Sequence, residues 1–114
     1  VSESDGAFAL TLSTHVLDTS IGRPAADVPV RLEAHGEGGW HHVTDGCTNA
    51  DGRITGWGVA AAGVYRLVFG TGDYLGPDAF YPEVTVAFRL TDPAEHYHVP
   101  LLLSPFGYST YRGS

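Results

Sequence analysis

Apolar and polar residues alternate along most of this chain in short runs, the mark of strands half-buried in a sheet rather than of helices. Phe8, Leu10 and Leu12 alternate with Ala9, Thr11 and Ser13, and Val28, Val30 and Leu32 with Pro29, Arg31 and Glu33. Further strands are expected from Trp40 to Thr48, from Arg53 to Trp57 after the Asn49-Ala50-Asp51-Gly52 turn, from Val64 to Phe69 and from Val84 to Leu90. Tyr97, Val99, Leu101 and Leu103 define another, and Phe106 to Arg112 an edge-like last one. About eight such segments at near-regular spacing predict an all-β sandwich or barrel. Asp73 to Phe80 breaks the pattern and is expected to hold one short helix.

Strand parity carries the first functional hint. Thr11, Ser13 and His15 share one face of the first strand, opposite Phe8, Leu10 and Leu12. His96 and His98 lie opposite Tyr97, Val99 and Leu101. His15 and His98 are thus both expected on non-core faces, and would share one surface if their strands are neighbours, which spacing alone does not decide.

Length and composition then bound the picture. With 114 residues, 43% of them hydrophobic, residues 1–114 are read as one domain with a real core, residues 1–7 being a flexible extension. A domain this small buries a modest share of its surface, which favours oligomerisation. No apolar run approaches the roughly 20 residues of a membrane helix. Val1 to Gly6 is polar and acidic, so no signal peptide is expected, although a leader removed before Val1 stays open. The net charge of -7 argues against nucleic acid as a partner. An anionic ligand would need a local positive pocket, and all six basic residues are Arg. The single Cys47 excludes an internal disulfide, points to a reducing, cytoplasmic setting, and reads as a half-buried bystander without activating neighbours.

Each candidate residue has a plain reading and a chemical one. His15 alone is a surface imidazole near a strand end, yet a neutral imidazole can take a proton from water near neutral pH. The same holds for His98. Arg53 is a solvated residue at a strand start or a planar cation able to bind carbonyl groups and stabilise an oxyanion. His96 and His98 with His41 and His42 make a four-His zinc site imaginable, but their spacing matches no metal motif. His35, His41, His42 and His96 are read as solvated or structural. Ser114 has no Gly-x-Ser-x-Gly elbow or triad context and is read as a hydrogen-bonding or water-positioning group. Asp18 and Ser104-Pro105 are read as structural.

Three stretches carry a resemblance. His15-Val16-Leu17-Asp18 with Gly22-Arg23-Pro24-Ala25 and Val28-Pro29-Val30 is one; Tyr97-His98-Val99-Pro100-Leu101-Leu102-Leu103-Ser104-Pro105-Phe106-Gly107-Tyr108-Ser109 is the second; the end Tyr111-Arg112-Gly113-Ser114 is the third. In this order and spacing, over about Leu12 to Ser114, they resemble the transthyretin family, and the last resembles the terminal tetrapeptide of its hydrolase branch. The resemblance implies a transthyretin-like eight-stranded β-sandwich with one short helix. It also implies a homotetramer with sites between dimers, and an activity that opens the cyclic amide of 5-hydroxyisourate in urate and purine degradation without metal or cofactor. His15, Arg53, His98 and Ser114 are the implied catalytic residues, and Tyr111, Arg112 and Gly113 the implied substrate-binding ones. The hormone-carrying branch lacks this set, so a carrier without chemistry is the competing reading, beside a hydrolase of another cyclic amide. A secreted immunoglobulin-like sandwich is disfavoured by the lack of a Cys pair.

Overall fold

A computed structural model describes residues 10–92 and 94–114. Phe8 and the expected extension 1–7 lie outside the described residues. The elements, in order, are β1 (Leu10–Asp18), β2 (Arg23–Pro24), β3 (Pro29–Gly36), β4 (Gly39–Cys47), β5 (Arg53–Val59), β6 (Gly63–Phe69), α1 (Thr71–Leu75), β7 (Val84–Leu90), β8 (His96–Ser104) and β9 (Gly107–Thr110). The eight longer strands correspond to the eight expected segments. The two-residue β2, which pairs Leu17 with Pro24 and Asp18 with Arg23, is an addition too short to leave an alternating pattern.

The strands form two sheets. One runs β2-β1-β8-β9, with β5 also paired to β1; the other runs β4-β3-β6-β7. All pairings are antiparallel except β1 with β8, which run parallel. Between the sheets lie the fully buried Leu10, Leu12, Val16, Leu32, Leu67, Phe69, Leu90, Leu101 and Leu103, from one face each of β1, β3, β6, β7 and β8. This is an all-β sandwich, the one of the two all-β forms allowed by the hydrophobic pattern that the family resemblance implies.

Local departures have physical causes. β5 carries a bulge: Leu12 pairs with Trp57 but Thr14 with Ile54, so β5 holds one extra residue, and Gly56 takes the positive φ of 81° that this requires. The bulge lets Ile54, Trp57 and Val59 all serve the core side while Arg53 stays on the outer face. The helix sits earlier than expected, over Thr71–Leu75 instead of within Asp73–Phe80, because Gly76 at φ 109° precedes Pro77 and the chain leaves helical geometry there. Cys47 is exposed, not half-buried as expected, because it ends β4, an edge strand that faces solvent along most of its length.

Candidate active site

Strand register gathers the candidate residues. His15 of β1 stands opposite Arg53 of β5, and Ser13 of β1 opposite His98 of β8. Because paired residues point to the same side of a sheet, Arg53, His15, Ser13 and His98 line one patch on the outer face of the first sheet. Thr11 and His96, also a register pair, extend it along β1 and β8. The tail closes the edge: Gly113 bridges to His98, and its amide donates to the His98 carbonyl at 2.8 Å. β1 is held in this position from its core side, where the buried Thr14 donates its hydroxyl to the Val99 carbonyl at 2.6 Å.

The contacts on this face form a chain. Ser13 Oγ lies 2.7 Å from His98 Nδ1 and 3.1 Å from His96 Nε2, and His96 Nδ1 lies 2.6 Å from Thr11 Oγ1. Ser13 is buried although it points away from the core, because both imidazoles cover it. His96 is itself exposed.

The electrostatics disfavour the charged form of the His15 and His98 imidazoles. Burial, and then the Arg53 guanidinium, depress the pKa of His15 below its ordinary value, against an opposing pull from the Asp51 carbonyl and carboxylate. Burial depresses His98 as well, followed by Arg53, His15 and His96, with the Ser13 backbone opposing. Arg31 and Arg66 are ion-paired to Glu33, and Arg112 to Glu95. Among the described residues Arg53 makes no ion pair, so its exposed guanidinium is the positive charge available to this face of an acidic protein.

The remaining residues singled out in the sequence divide. Ser114 is exposed at the end of the tail, beyond Gly113. Arg112 turns to the opposite side: its guanidinium reaches Glu95 at 2.6 Å and stacks 4.4 Å over the centre of the Tyr97 ring. Tyr111 and Arg112 line a cleft of about 290 Å3 with Val86, Phe88, Tyr97 and Val99, at the open edge of the sandwich and away from the His98 ring. His41 and His42 lie on β4 in the other sheet, bonded to the Glu37 carbonyl and the Asp45 carboxylate, so the imagined four-His cluster is not assembled. Asp18 is buried and structural, as expected, taking hydrogen bonds from Ser20 and Tyr74. Ser13 was not among the sequence candidates; its parity with His15 was the available signal, but its partners depend on β8 lying alongside.

An outward-facing pair of neutral imidazoles beside an unpaired guanidinium can activate water and stabilise negative charge on an acyl oxygen. Comparison with known proteins agrees with hydrolytic chemistry. Residues 12–113 match the model of the HIUase/Transthyretin family. The chain is 50% identical over 109 residues to a 5-hydroxyisourate hydrolase of Salmonella dublin, covering 90% of this chain and 80% of that one. It is 49% identical to a 5-hydroxyisourate hydrolase of Halalkalibacterium halodurans, covering 90% and 97%. Among solved structures it is similar to the 5-hydroxyisourate hydrolase of Klebsiella pneumoniae, at 38% identity and a TM-score of 0.79, covering 91% and 98%. Transthyretin from Sparus aurata is also similar, at 33% identity and a TM-score of 0.82, covering 90% and 95%. The fold, the register-built face of His15, Arg53 and His98, and these likenesses converge: the chain belongs to the HIUase/transthyretin family.

Proposed function

We infer that this chain is a hydrolase that opens the cyclic amide ring of 5-hydroxyisourate, giving 2-oxo-4-hydroxy-4-carboxy-5-ureidoimidazoline in urate degradation. The observation that carries the reading is the register of β1 between β5 and β8, which sets His15 across from Arg53 and Ser13 across from His98 on one face. The relatives named for this activity support the substrate.

The chemistry is direct attack by water. One imidazole, His15 or His98, takes a proton from a bound water as its oxygen attacks the ring carbonyl. Arg53 stabilises the oxyanion that develops on that carbonyl and orients the planar substrate. The carbon–nitrogen bond then breaks, the departing ring nitrogen takes a proton, and a carboxylate is left. A general base needs to be unprotonated at working pH, and the depressed pKa values of His15 and His98 provide that. No metal or cofactor takes part in this scheme.

The tail contributes through position. Arg112 pins it to Glu95 and the Tyr97 ring, which sets Gly113 against His98. Ser114 follows as a group able to position water or substrate. In this role Arg112 acts on the site by anchoring the tail, and the exposed Tyr111 beside it is a group for substrate contact. A homotetramer in which two dimers cover this outer face would turn an open patch into an enclosed channel, where the same charges act more strongly. No helix among the described residues is long and apolar enough to cross a membrane, and the reading places the protein in the cytoplasm.

The test is the decay of freshly generated 5-hydroxyisourate, followed by ultraviolet absorbance with and without the protein. The substrate also decays unaided, so the buffer control sets the baseline. The expected result is strong acceleration that is lost in Arg53→Ala. No acceleration from a folded oligomer would overturn the reading in favour of a carrier or of another cyclic amide.

A further inference from the structure

Ser13 Oγ is held between two imidazole nitrogens, His98 Nδ1 at 2.7 Å and His96 Nε2 at 3.1 Å. A hydroxyl has one hydrogen to donate. It can donate to only one of those nitrogens, and the other contact is a hydrogen bond only if that nitrogen carries the hydrogen. The tautomers of His98 and His96 are therefore coupled through one oxygen. Thr11 Oγ1, 2.6 Å from His96 Nδ1, ends the chain as donor or acceptor.

Two proton arrangements satisfy every contact while placing the Ser13 hydrogen between the two rings. In the first, His98 Nδ1–H donates to Ser13, Ser13 donates to His96 Nε2, and His96 Nδ1–H donates to Thr11. This leaves His98 Nε2 as a bare lone pair, the form a general base requires. In the second, every hydrogen bond is reversed and His98 carries its hydrogen on Nε2.

We propose that His96, acting through the Ser13 hydroxyl, is a positioning and proton-relay residue for His98. The inference rests on the hydrolytic reading above. His98 Nε2 takes a proton from the attacking water. Its Nδ1 proton passes to Ser13 Oγ, and the Ser13 proton passes to His96 Nε2. Bonds and charge balance: one proton has left water, His96 is an imidazolium, and His98 is neutral with its hydrogen on Nε2. That hydrogen can then be given to the departing ring nitrogen while the His96 proton returns by the same path to His98 Nδ1. The relay lets one imidazole serve as base and then as acid.

The surroundings favour moving the charge. Arg53 and His15 both oppose a cation at His98, and its burial does so most. His96 lies farther along the strand, at the solvent-exposed end of the pair. Across β1 from Thr11 stands Gly58 of β5, which brings no charge. The charged and titratable groups that bear on the chain are Arg53 and Asp51 from the β5 side and His15 from β1, while Glu95, next to His96 in sequence, is paired to Arg112 on the other side.

The test measures ring-nitrogen NMR shifts of His98 against pH in the wild type, Ser13→Ala, Ser13→Thr and His96→Gln, with kcat and KM for each. His96→Gln keeps hydrogen-bonding capacity but cannot accept the proton. It is expected to lower kcat roughly tenfold with KM within about twofold, and to change the acid limb of the kcat profile. Ser13→Ala is expected to uncouple His98 from His96 and change the tautomer of neutral His98, and Ser13→Thr to restore the coupling. Turnover with His98 shifts unchanged in Ser13→Ala and His96→Gln, or wild-type kcat in His96→Gln, overturns the relay alone. A wild-type chain without turnover overturns the relay together with the hydrolase reading.

Discussion

A Cβ added at Gly113 would stand 2.6 Å from Cδ2 of the His98 ring and 3.3 Å from its Cγ. The tail therefore touches the imidazole with bare backbone, and glycine is the residue that lets it. Gly113→Ala must push the ring, the tail or both out of place. Since a displacement of about 1 Å can cost 10²-fold in rate, the expected loss in kcat is at least tenfold. Gly113 lies beyond the last strand and outside the core, so the global fold should lose less than about 0.5 kcal/mol. Steady-state kinetics beside a thermal melt checks both halves. A bulky tag after Ser114 should likewise slow turnover more than one before Val1, and equal activity of the two would remove the tail from the site.

The pH dependence follows from the sign of the imidazole shifts. His15 and His98 both have pKa values lowered by burial and Arg53. A base must be neutral, so activity persists below the ordinary imidazole pKa of about 6.5 and falls only as pH drops through the lowered values. Removing the guanidinium takes away one depressing cause, so the acid limb of residual activity in Arg53→Lys should stay low while that in Arg53→Ala moves up toward about 6.5. Stability has the matching sign. The unfolded chain binds protons before the folded one does, so these two groups withdraw stability as pH falls below the unfolded imidazole value. A pH–rate profile of each variant decides the point; identical acid limbs would show that Arg53 does not tune the base.

Much of this site was readable from alternation alone. Counting residues by twos puts His15 with Ser13 and Thr11, and His98 with His96, on faces opposite Leu12 and Leu101. What parity cannot supply is the neighbour. The parallel pairing of β1 with β8 joins segments more than eighty residues apart, as the Ser13–His98 separation of 85 shows, and nothing local to either strand encodes it. For that reason His96 read only as solvated or structural, its bonds to Thr11 and Ser13 being out of view, and Ser13 was passed over. Arg112 is a different case. The resemblance implies a substrate-binding tail, and in this structure Glu95 and the Tyr97 ring hold the Arg112 side chain on the other side. The edge strand β4 has no buried face to enforce alternation at its end, so the exposure of Cys47 was not legible there.

The buried Asp18 at the end of β1 is tied to the helix across the sandwich. Its carboxylate accepts hydrogen bonds from the Ser20 hydroxyl at 2.6 Å, the Ser20 amide at 3.0 Å and the Tyr74 hydroxyl at 2.7 Å. Burial alone would push the carboxyl up, but Ser20 and Tyr74 outweigh it and hold the pKa below its ordinary value. The Tyr74 phenol is pushed up to about 12 by burial and by that carboxylate. Tyr74→Phe leaves a buried carboxylate with fewer donors and is expected to cost about 1–3 kcal/mol, read as a lower urea midpoint. The stability from Asp18 is present above the unfolded carboxylate pKa and lost as pH falls through the depressed folded value. Tyr74→Phe should move that acid loss to higher pH, and an unchanged acid transition would mean Ser20 alone fixes the carboxylate.

Gly52 sets the approach of Arg53 to the site, and replacing it is the sharpest test of the turn. It sits at φ 73°, a left-handed conformation that side chains rarely adopt, and a Cβ there would meet the Val16 carbonyl oxygen at 2.5 Å. Its own carbonyl accepts the Val16 amide at 2.7 Å, and the Asn49 side chain accepts the Arg53 amide at 3.0 Å, so the turn is fastened on both sides of the glycine. Gly52→Ala has to open the contact with β1 next to His15 and carry Arg53 away with it. The expected result is a double loss: about 1–3 kcal/mol of stability from the strained backbone, and a kcat at least tenfold lower at temperatures where the variant is fully folded. The second loss separates placement from stability. If the folded variant turns over at the wild-type rate, Arg53 does not depend on this turn for its position, and its place opposite His15 is not what the reaction uses.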